Sequence, residues 1–398
     1  MNRDDFEMLK TDLIYFDNNA TTLKPKEVVK AIDEYYMTYT ANAHRGDYKN
    51  SLKVDMLYED TRELIRNYLN ADNSKEIIFT SGATDSLNLI AFGFGKKVLK
   101  KGDEVLISKT EHASLVLPWL RLEKEIGIKV KYIPLDSNLK LTLDNLKKSV
   151  TKKTKVVALA HVTNTIGDVR DILNIGKFLK EENIYFVVDA AQSIGHKKID
   201  VKECNIDFLA FSGHKMLGPT GIGVMYGRYD LLEEMDPVRF GGGMNSYFKS
   251  NGKVKYQKPP SKFEAGTPNI AGVIGLRSAF KFLERVGLEN IRKHEEELKD
   301  YLLLRLKEID NITVINKNAE SSNILFNING VEPQDTALYL DHYNICVRAG
   351  NHCAKLLQDE LGISNTCRIS LYLYNTKEEI DKLVKVLKNS KHIFDEAN

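Results

Sequence analysis

The chain has 398 residues, 42% hydrophobic and 28% charged, and its 57 Lys and Arg against 55 Asp and Glu leave a formal net charge of +2. That length suits two or three domains of about 150 residues, and the composition excludes a disordered polyelectrolyte. The near-zero balance removes any electrostatic case for nucleic acid or an anionic membrane as the main partner.

No apolar run approaches the roughly 18 residues of a membrane span. Charges interrupt the opening MNRDDFEMLKTDLIYFDNNA, so no signal peptide is expected. The four cysteines, Cys204, Cys346, Cys353 and Cys367, include no CxxC pair and are too few for a disulfide framework. A reduced, cytoplasmic setting is the expectation, with no metal site.

From about residue 55, short apolar runs alternate with helical periods. In chain order the runs cover 77–79, 105–107, 130–133, 156–160, 185–188, 208–211 and 223–226. They are mostly β-branched or aromatic, and several are apolar almost throughout, as strands buried on both faces are. Helical patterns separate many of them, for example over 169–182. This βαβ order predicts a largely parallel sheet covered by helices. A long helical pattern over 271–307 follows, then strands at 323–328 and 345–347 and a final helix over 377–388. These elements predict a smaller α+β domain joined to the first through helix.

Polar clusters follow five of the strands. They are Thr80-Ser81-Gly82-Ala83-Thr84, Ser108-Lys109-Thr110-Glu111-His112, His161-Val162-Thr163-Asn164, Asp189-Ala190-Ala191-Gln192 and Ser212-Gly213-His214-Lys215. Open parallel sheets bind ligands at the carboxyl ends of their strands, so five such clusters predict one composite site. Ser81 to Thr84 offers small residues, free N–H groups and a hydroxyl. That suits phosphate, although Ser and Gly also open many helices. Lys215, set before Gly218, Gly221 and Gly223, is either a Schiff-base nucleophile or a surface lysine. Asp189 is either a helix N-cap or a partner for a buried cationic ring nitrogen. A phosphate cradle, a lysine and a strand-end aspartate together form the set that pyridoxal phosphate requires.

Asp189-Ala190-Ala191-Gln192-Ser193 and Ser212-Gly213-His214-Lys215, with Thr110-Glu111-His112, resemble the fold-type I, class V aminotransferase superfamily. Arg348-Ala349-Gly350-Asn351-His352-Cys353 and Cys367-Arg368-Ile369-Ser370 narrow the resemblance to cysteine desulfurases. It runs from Tyr15-Phe16-Asp17-Asn18-Asn19-Ala20 to Asn375-Thr376-Lys377-Glu378-Glu379. Asn42-Ala43-His44-Arg45-Gly46 and Phe263-Glu264-Ala265-Gly266-Thr267-Pro268 belong to it as well. The short interval from Cys353 to Arg368 is similar to the Suf-type (SufS-like) group, whose cysteine sits on a short, ordered loop.

The resemblance implies an α/β fold of the kind called fold type I among enzymes that use pyridoxal phosphate (PLP). A large domain (16–279) would hold a mostly parallel seven-stranded sheet, and a small α+β domain (1–15 and 280–398) the cysteine loop. Pyridoxal 5'-phosphate is the implied cofactor. Lys215 would bind it covalently, Asp189 face its pyridine nitrogen, Gln192 donate to its phenolic oxygen and His112 stack on its ring. Ala83, Thr84, Ser212 and His214 would hold its phosphate. Thr267 would reach the phosphate of a neighbouring subunit, which implies a homodimer. Arg368 would bind the substrate carboxylate, with Asn164 beside substrate and ring and His44 and Arg45 at the site entrance. Cys353 would take the sulfur of L-cysteine as a persulfide, with release of L-alanine. It would then pass the sulfur to an acceptor of the SufE or SufU type for iron–sulfur cluster assembly.

A selenocysteine lyase or another class V enzyme is the alternative reading. Cys353 beside the Arg348-Ala349-Gly350 motif speaks against transamination, which needs no thiol. The Lys215, Asp189 and His112 set speaks against a non-catalytic sulfur relay. His352 either influences the ionisation of Cys353 or is a plain loop residue. The family commonly has a second histidine where Asn351 stands, and a proline after the cysteine where this chain continues Ala354-Lys355-Leu356. Some relatives with a zinc-containing SufU-like acceptor have a histidine where Gln334 stands. These departures imply a loop of different stiffness and weigh against that mode of partner recognition.

Overall fold

The computed structural model describes residues 3–44, 46–363 and 365–395. After a short strand β1 (Ile14–Tyr15), the chain lays down β2 (Ile77–Thr80), β3 (Glu104–Ser108), β4 (Lys129–Ile133) and β5 (Thr154–Ala160). Then come β6 (Tyr185–Asp189), β7 (Phe208–Ser212) and β8 (Gly223–Gly227). These last seven are the seven apolar runs of the sequence, and they form one sheet in the order β2-β8-β7-β6-β5-β3-β4. Only β8 runs against its neighbours, so β2 and β7 point the same way as the rest.

Every residue of β3, β7 and β8 is buried. Side chains alternate across the sheet. Val157, Leu159, Phe186 and Val188 therefore enter one core with Ile65 and Phe280, from the helices Lys49–Leu69 and Ile270–Val286. Val156, Ala158 and Val187 enter the other, with Leu87 and Trp119 from the helices Ala83–Leu89 and Ala113–Ile126. Each such apolar side chain contributes about 1.5–3 kcal/mol relative to exposure, which confines polar residues to the strand ends. The edge strand β4 differs. It alternates, with Lys129 and Lys131 in solvent, and edge lysines of this kind discourage pairing with another chain.

A hairpin of β9 (Asn245–Phe248) and β10 (Val254–Tyr256) stands largely in solvent and carries no buried face. The remaining strands are β11 (Ile312–Val314), β12 (Asn323–Ile328), β13 (Ile345–Cys346), β14 (Arg348–Gly350) and β15 (Thr366–Ser370). An antiparallel sheet takes four of them in the order β11-β12-β15-β14. β13 instead pairs with β1, Ile14 opposite Ile345. Ile14 and Phe16 thus share a core with Ile324 and Ile369.

Three expectations need correction. The strand expected over 345–347 ends at Cys346, because the chain leaves its pairing with β1 at Val347 and joins β15 from Arg348 as a further strand. The helix expected over 169–182 starts at Ile172, where the Asp171 carboxylate caps it by accepting the Asn174 N–H at 3.1 Å. The helix expected over 271–307 is two helices, Ile270–Val286 and Leu288–Leu306, divided at Gly287. There φ is +84° and ψ 124°, a backbone that residues with a Cβ rarely adopt. Replacing Gly287 with Ala is expected to destabilise the protein by about 1–3 kcal/mol, read as a lowered midpoint in urea unfolding. An unchanged midpoint would show that the corner does not depend on glycine.

Candidate active site

The carboxyl ends of β2, β3, β5, β6 and β7 open on one cleft of about 240 Å³. Each of the five polar clusters contributes to it. Ala83 and Thr84 come from the first, His112 from the second, Asn164 from the third, Asp189 and Gln192 from the fourth, and Ser212, His214 and Lys215 from the fifth. Arg368 enters from β15. Lys215, Arg348 and Arg368 face a single lining carboxylate, Asp189, and this surplus of positive charge favours an anionic ligand.

At one end the Ala83 N–H donates to Ser212 Oγ at 2.8 Å, and Thr84 Oγ1 lies 2.7 Å from Ser114 Oγ. Gly223 lets β8 pass this close, since a Cβ there would stand 2.4 Å from Gly82 Cα. Burial, and then the charge of Lys215, push the His214 imidazole down to about 4. It is neutral at pH 7. Lys215 ends the short turn Gly213–Lys215. Burial lowers its amine to about 8, against the pull of Asp189, and an amine tuned this way is a usable nucleophile near neutrality.

Asp189 closes β6. Its Oδ1 accepts the Ala191 N–H at 2.9 Å, and its other oxygen has no protein partner among the described residues. Burial raises its carboxyl above the usual range, with Lys215 and Arg170 opposing. A cationic N–H donor facing that oxygen would offset the cost of burying the charge. His112 caps the helix Ala113–Ile126, its Nδ1 accepting the Ser114 N–H at 3.1 Å. Burial brings its imidazole down to about 4, so the neutral ring keeps its proton on Nε2. Gln192 Nε2 donates to the Asn19 carbonyl at 2.9 Å. A cleft-lining lysine, a buried carboxylate with one free oxygen and a hydroxyl-lined cationic end together fit pyridoxal phosphate.

Arg368 is fully enclosed. It donates from Nη1 to the Asn164 carbonyl at 2.9 Å and from Nη2 to Asp17 Oδ1 at 3.1 Å. Burial lowers its guanidinium to about 10, still charged at neutral pH. Arg348 stands directly opposite it across β14 and β15. Like charges in that register repel, and the Asp17 carboxylate lies within 4 Å of both.

Cys353 stands at the mouth of the cleft and not in its lining. It is the exposed one of the four cysteines, with Cys204 and Cys367 buried and Cys346 intermediate. His352 and Cys353 both adopt left-handed backbone, φ +51° and +58°, which costs about 1–3 kcal/mol per residue unless the surroundings impose it. Four hydrogen bonds impose it. The Cys353 carbonyl accepts the Ala113 N–H at 2.8 Å, and its own N–H donates to Asn351 Oδ1 at 3.0 Å. The His352 carbonyl accepts from Asn164 Nδ2 at 2.7 Å, and the His352 ring Nε2 lies 2.8 Å from Thr366 Oγ1. Burial pushes that imidazole down to about 3, so His352 is a neutral anchor and not a charge beside the thiol. A negative charge on the Cys353 sulfur favours the charged forms of Lys215 and Arg368, so the thiol is within electrostatic reach of both.

Two expected residues lie away from the cleft of their own chain. Thr267 is exposed, and its hydroxyl accepts from Asn42 Nδ2 at 3.4 Å. His44 is held against the helix Lys49–Leu69, its Nε2 3.5 Å from Glu59 Oε1. Arg45 lies outside the described residues. Arg348 and Arg170 carry no local sequence signal of a role at the cleft. Arg348 depends on strand register. Arg170 is visible only through its partner, since a charged residue so deep requires an opposite one. Its Nη1 donates to Glu111 Oε1 and to the Ala160 carbonyl, and both side chains are buried.

The model of the class-V aminotransferase family matches residues 14–383. A probable cysteine desulfurase of Halalkalibacterium halodurans is 43% identical over 390 residues, covering 98% of this chain and 96% of its own. Another, of Staphylococcus epidermidis, is 42% identical over 96% of this chain and 93% of its own. Among solved structures, the apo cysteine desulfurase of Thermococcus onnurineus NA1 superposes with a TM-score of 0.93 at 40% identity, covering 97% of this chain and 96% of that one. The Escherichia coli cysteine desulfurase CsdA gives 0.92 at 35% identity over 98% of each chain. The chain therefore belongs to the class-V aminotransferase family, and within it to the cysteine desulfurases, enzymes that depend on pyridoxal phosphate.

Proposed function

We propose that this enzyme converts L-cysteine to L-alanine and takes the sulfur onto Cys353 as a persulfide. The observation that carries the reading is the fixed backbone of Cys353, which holds an exposed thiol beside His112 and, through His352 and Asn164, beside Arg368. Lys215, Asp189, Gln192 and His112 hold the cofactor ring in this reading, and Ala83, Thr84, Ser212 and His214 its phosphate. Pyridoxal phosphate supplies the electron sink for negative charge at the substrate α-carbon. Arg368 orients the substrate by its carboxylate, which matches the planar guanidinium fork. The Lys215 amine moves the α-proton. The Cys353 thiolate attacks the substrate sulfur. An S–S bond forms as the Cβ–S bond breaks, and the carbon keeps the electron pair and takes a proton to become the methyl group of alanine.

The finer assignments belong to the same proposal. Residues 16–279 act as the cofactor-binding domain, with 1–15 and 280–398 as the domain that carries the cysteine loop. The enzyme works as a homodimer in which Thr267 reaches the neighbouring subunit's phosphate and His44 lies at that entrance. Tyr36 and Met37, on the helix Lys26–Thr38, and Met56, on the helix Lys49–Leu69, are more than half exposed, apolar area that a second copy would cover. The short, anchored loop supports a Suf-type enzyme. It would act in the cytoplasm and deliver sulfur to an acceptor of the SufE or SufU type for iron–sulfur cluster assembly.

Two measurements test this. In a single turnover with L-cysteine, the native enzyme is expected to give one alanine and one persulfide per site, and Cys353→Ala neither. Equal alanine from both proteins would exclude Cys353 as the acceptor. The second follows the Lys215 amine, which titrates near 8 and adds to an aldehyde only when unprotonated. Uptake of pyridoxal phosphate by the apoprotein should therefore accelerate as the pH rises from 7 and level off above about 8. Absorbance growth after mixing at stepped pH reads the rate. A plateau reached only near the ordinary 10.5 would mean that the enclosure of Lys215 does not tune its amine.

A further inference from the structure

The carbonyl of His214, one residue before Lys215, is the acceptor for four donors from a single segment near the start of the chain. Lys24 Nζ reaches it at 2.8 Å, the Thr22 N–H at 3.0 Å, Thr21 Oγ1 at 3.1 Å and Thr22 Oγ1 at 3.2 Å. A carbonyl oxygen has two lone pairs, so this is more positive potential than one peptide oxygen ordinarily attracts. The Lys24 ammonium has three N–H donors and three acceptors, the His214 carbonyl, the Thr22 carbonyl and Thr21 Oγ1. None is a carboxylate, and burial alone lowers the Lys24 amine, to about 8. A half-buried cation without an anionic partner among the described residues is costly, and here its ammonium ties the Thr21–Thr22 segment to the His214 carbonyl.

That carbonyl belongs to a turn under constraint. The Gly213 carbonyl accepts both the Met216 and the Gly218 N–H, at 3.0 and 2.9 Å. Leu217 has φ +69°, a left-handed backbone unusual for leucine. Its N–H donates to Thr22 Oγ1 at 2.9 Å, so the segment that grips His214 also grips the strained residue two positions beyond Lys215. Lys24 lies outside the lining of the cleft and acts only through this turn.

We propose that Lys24, with the hydroxyls of Thr21 and Thr22, is a positioning element that clamps the turn Gly213–Lys215 and so aims the Lys215 amine into the cleft. The proposal rests on Lys215 as the cofactor-binding lysine. The Lys24→Met variant keeps the length of the stem and removes the ammonium. In the full-length apoprotein, two things are expected of it. Amide exchange in a peptide spanning 213–218 rises while that of β7 stays as in the native protein. The maximal rate of covalent pyridoxal phosphate uptake falls about tenfold, as for an amine displaced by a fraction of an ångström, and the half-saturating concentration changes by less than the rate does, because Ala83, Thr84 and Ser212 of the phosphate cradle lie outside the turn.

A folded Lys24→Met protein with native exchange and native maximal rate overturns the proposal. So does a loss confined to the half-saturating concentration, which would assign Lys24 to the phosphate. Should Lys24→Met not fold, Thr21→Val decides. It removes one donor to the His214 carbonyl and one acceptor of the Lys24 ammonium, and an uptake at least threefold slower is expected, about the share of one ordinary hydrogen bond; a native rate overturns the proposal. The Lys215→Ala protein separates the two readings. Covalent uptake that survives in it removes Lys215 from its role, and the clamp falls with it.

Discussion

The carboxyl edge of the central sheet is held by one buried ion pair. Arg170 donates from Nη1 to Glu111 Oε1 and to the Ala160 carbonyl, and from Nη2 to Thr110 Oγ1. Glu111 Oε2 in turn accepts the Ala160 N–H at 2.8 Å. The pair thus ties the loop after β3 to the end of β5. The Arg170 N–H reaches the His161 carbonyl, and the His161 N–H reaches the Asp189 carbonyl, both at 2.9 Å, which carries the tie across to β6. His112, Asn164 and Asp189 all project from these ends. Removing one partner of a buried pair costs about 3–5 kcal/mol, although Asp168 Oδ2, 3.5 Å from Arg170 Nε, would remain beside the arginine if Glu111 were lost. Here it would also loosen three residues that line the cleft.

Much of this architecture is legible in the residues alone, for a physical reason. Strands buried on both faces tolerate almost nothing polar, so the seven runs from Ile77 to Tyr226 stand out against their flanks and all become strands of the central sheet. The polar clusters stand out for the complementary reason, since they begin where burial ends. The hairpin Asn245–Phe248 and Val254–Tyr256 left no such mark, because neither strand has a buried face to impose a period. The division at Gly287 was hidden by helical patterns that continue on both sides of it. Arg348 owes its place to a register with Arg368, and Lys24 to a turn almost two hundred residues away. Long-range hydrogen bonds of that kind leave no local spacing to read.

The site concentrates unfavourable terms that a purely structural protein would avoid. Arg368 and Asp189 are buried and Lys215 is half-buried, two arginines face each other across β14 and β15, and His352, Cys353 and Leu217 hold left-handed backbone. Each is over-determined by bonds from neighbouring elements, the Cys353 loop by Ala113, Asn164 and Asn351 and the Lys215 turn by residues 21–24. An anionic ligand in the cleft relieves the charge imbalance. Ligand-bound protein is then more stable than the free chain by mass action, and the strain is offset in the state that works.

The pairing of β1 with β13 has a consequence for how the protein is made. Ile14 leaves the ribosome early, and its partner Ile345 follows about 330 residues later. At translation rates of 5–20 residues per second, the gap is roughly 15–70 seconds. Ile14 and Phe16 must spend that time unpaired, although both end fully within the core of the C-terminal sheet. The central sheet can assemble meanwhile from strands that are close in sequence. The N-terminal segment is then the last early-made piece to find its place, and a nascent chain stalled before β13 would expose it to any apolar surface nearby.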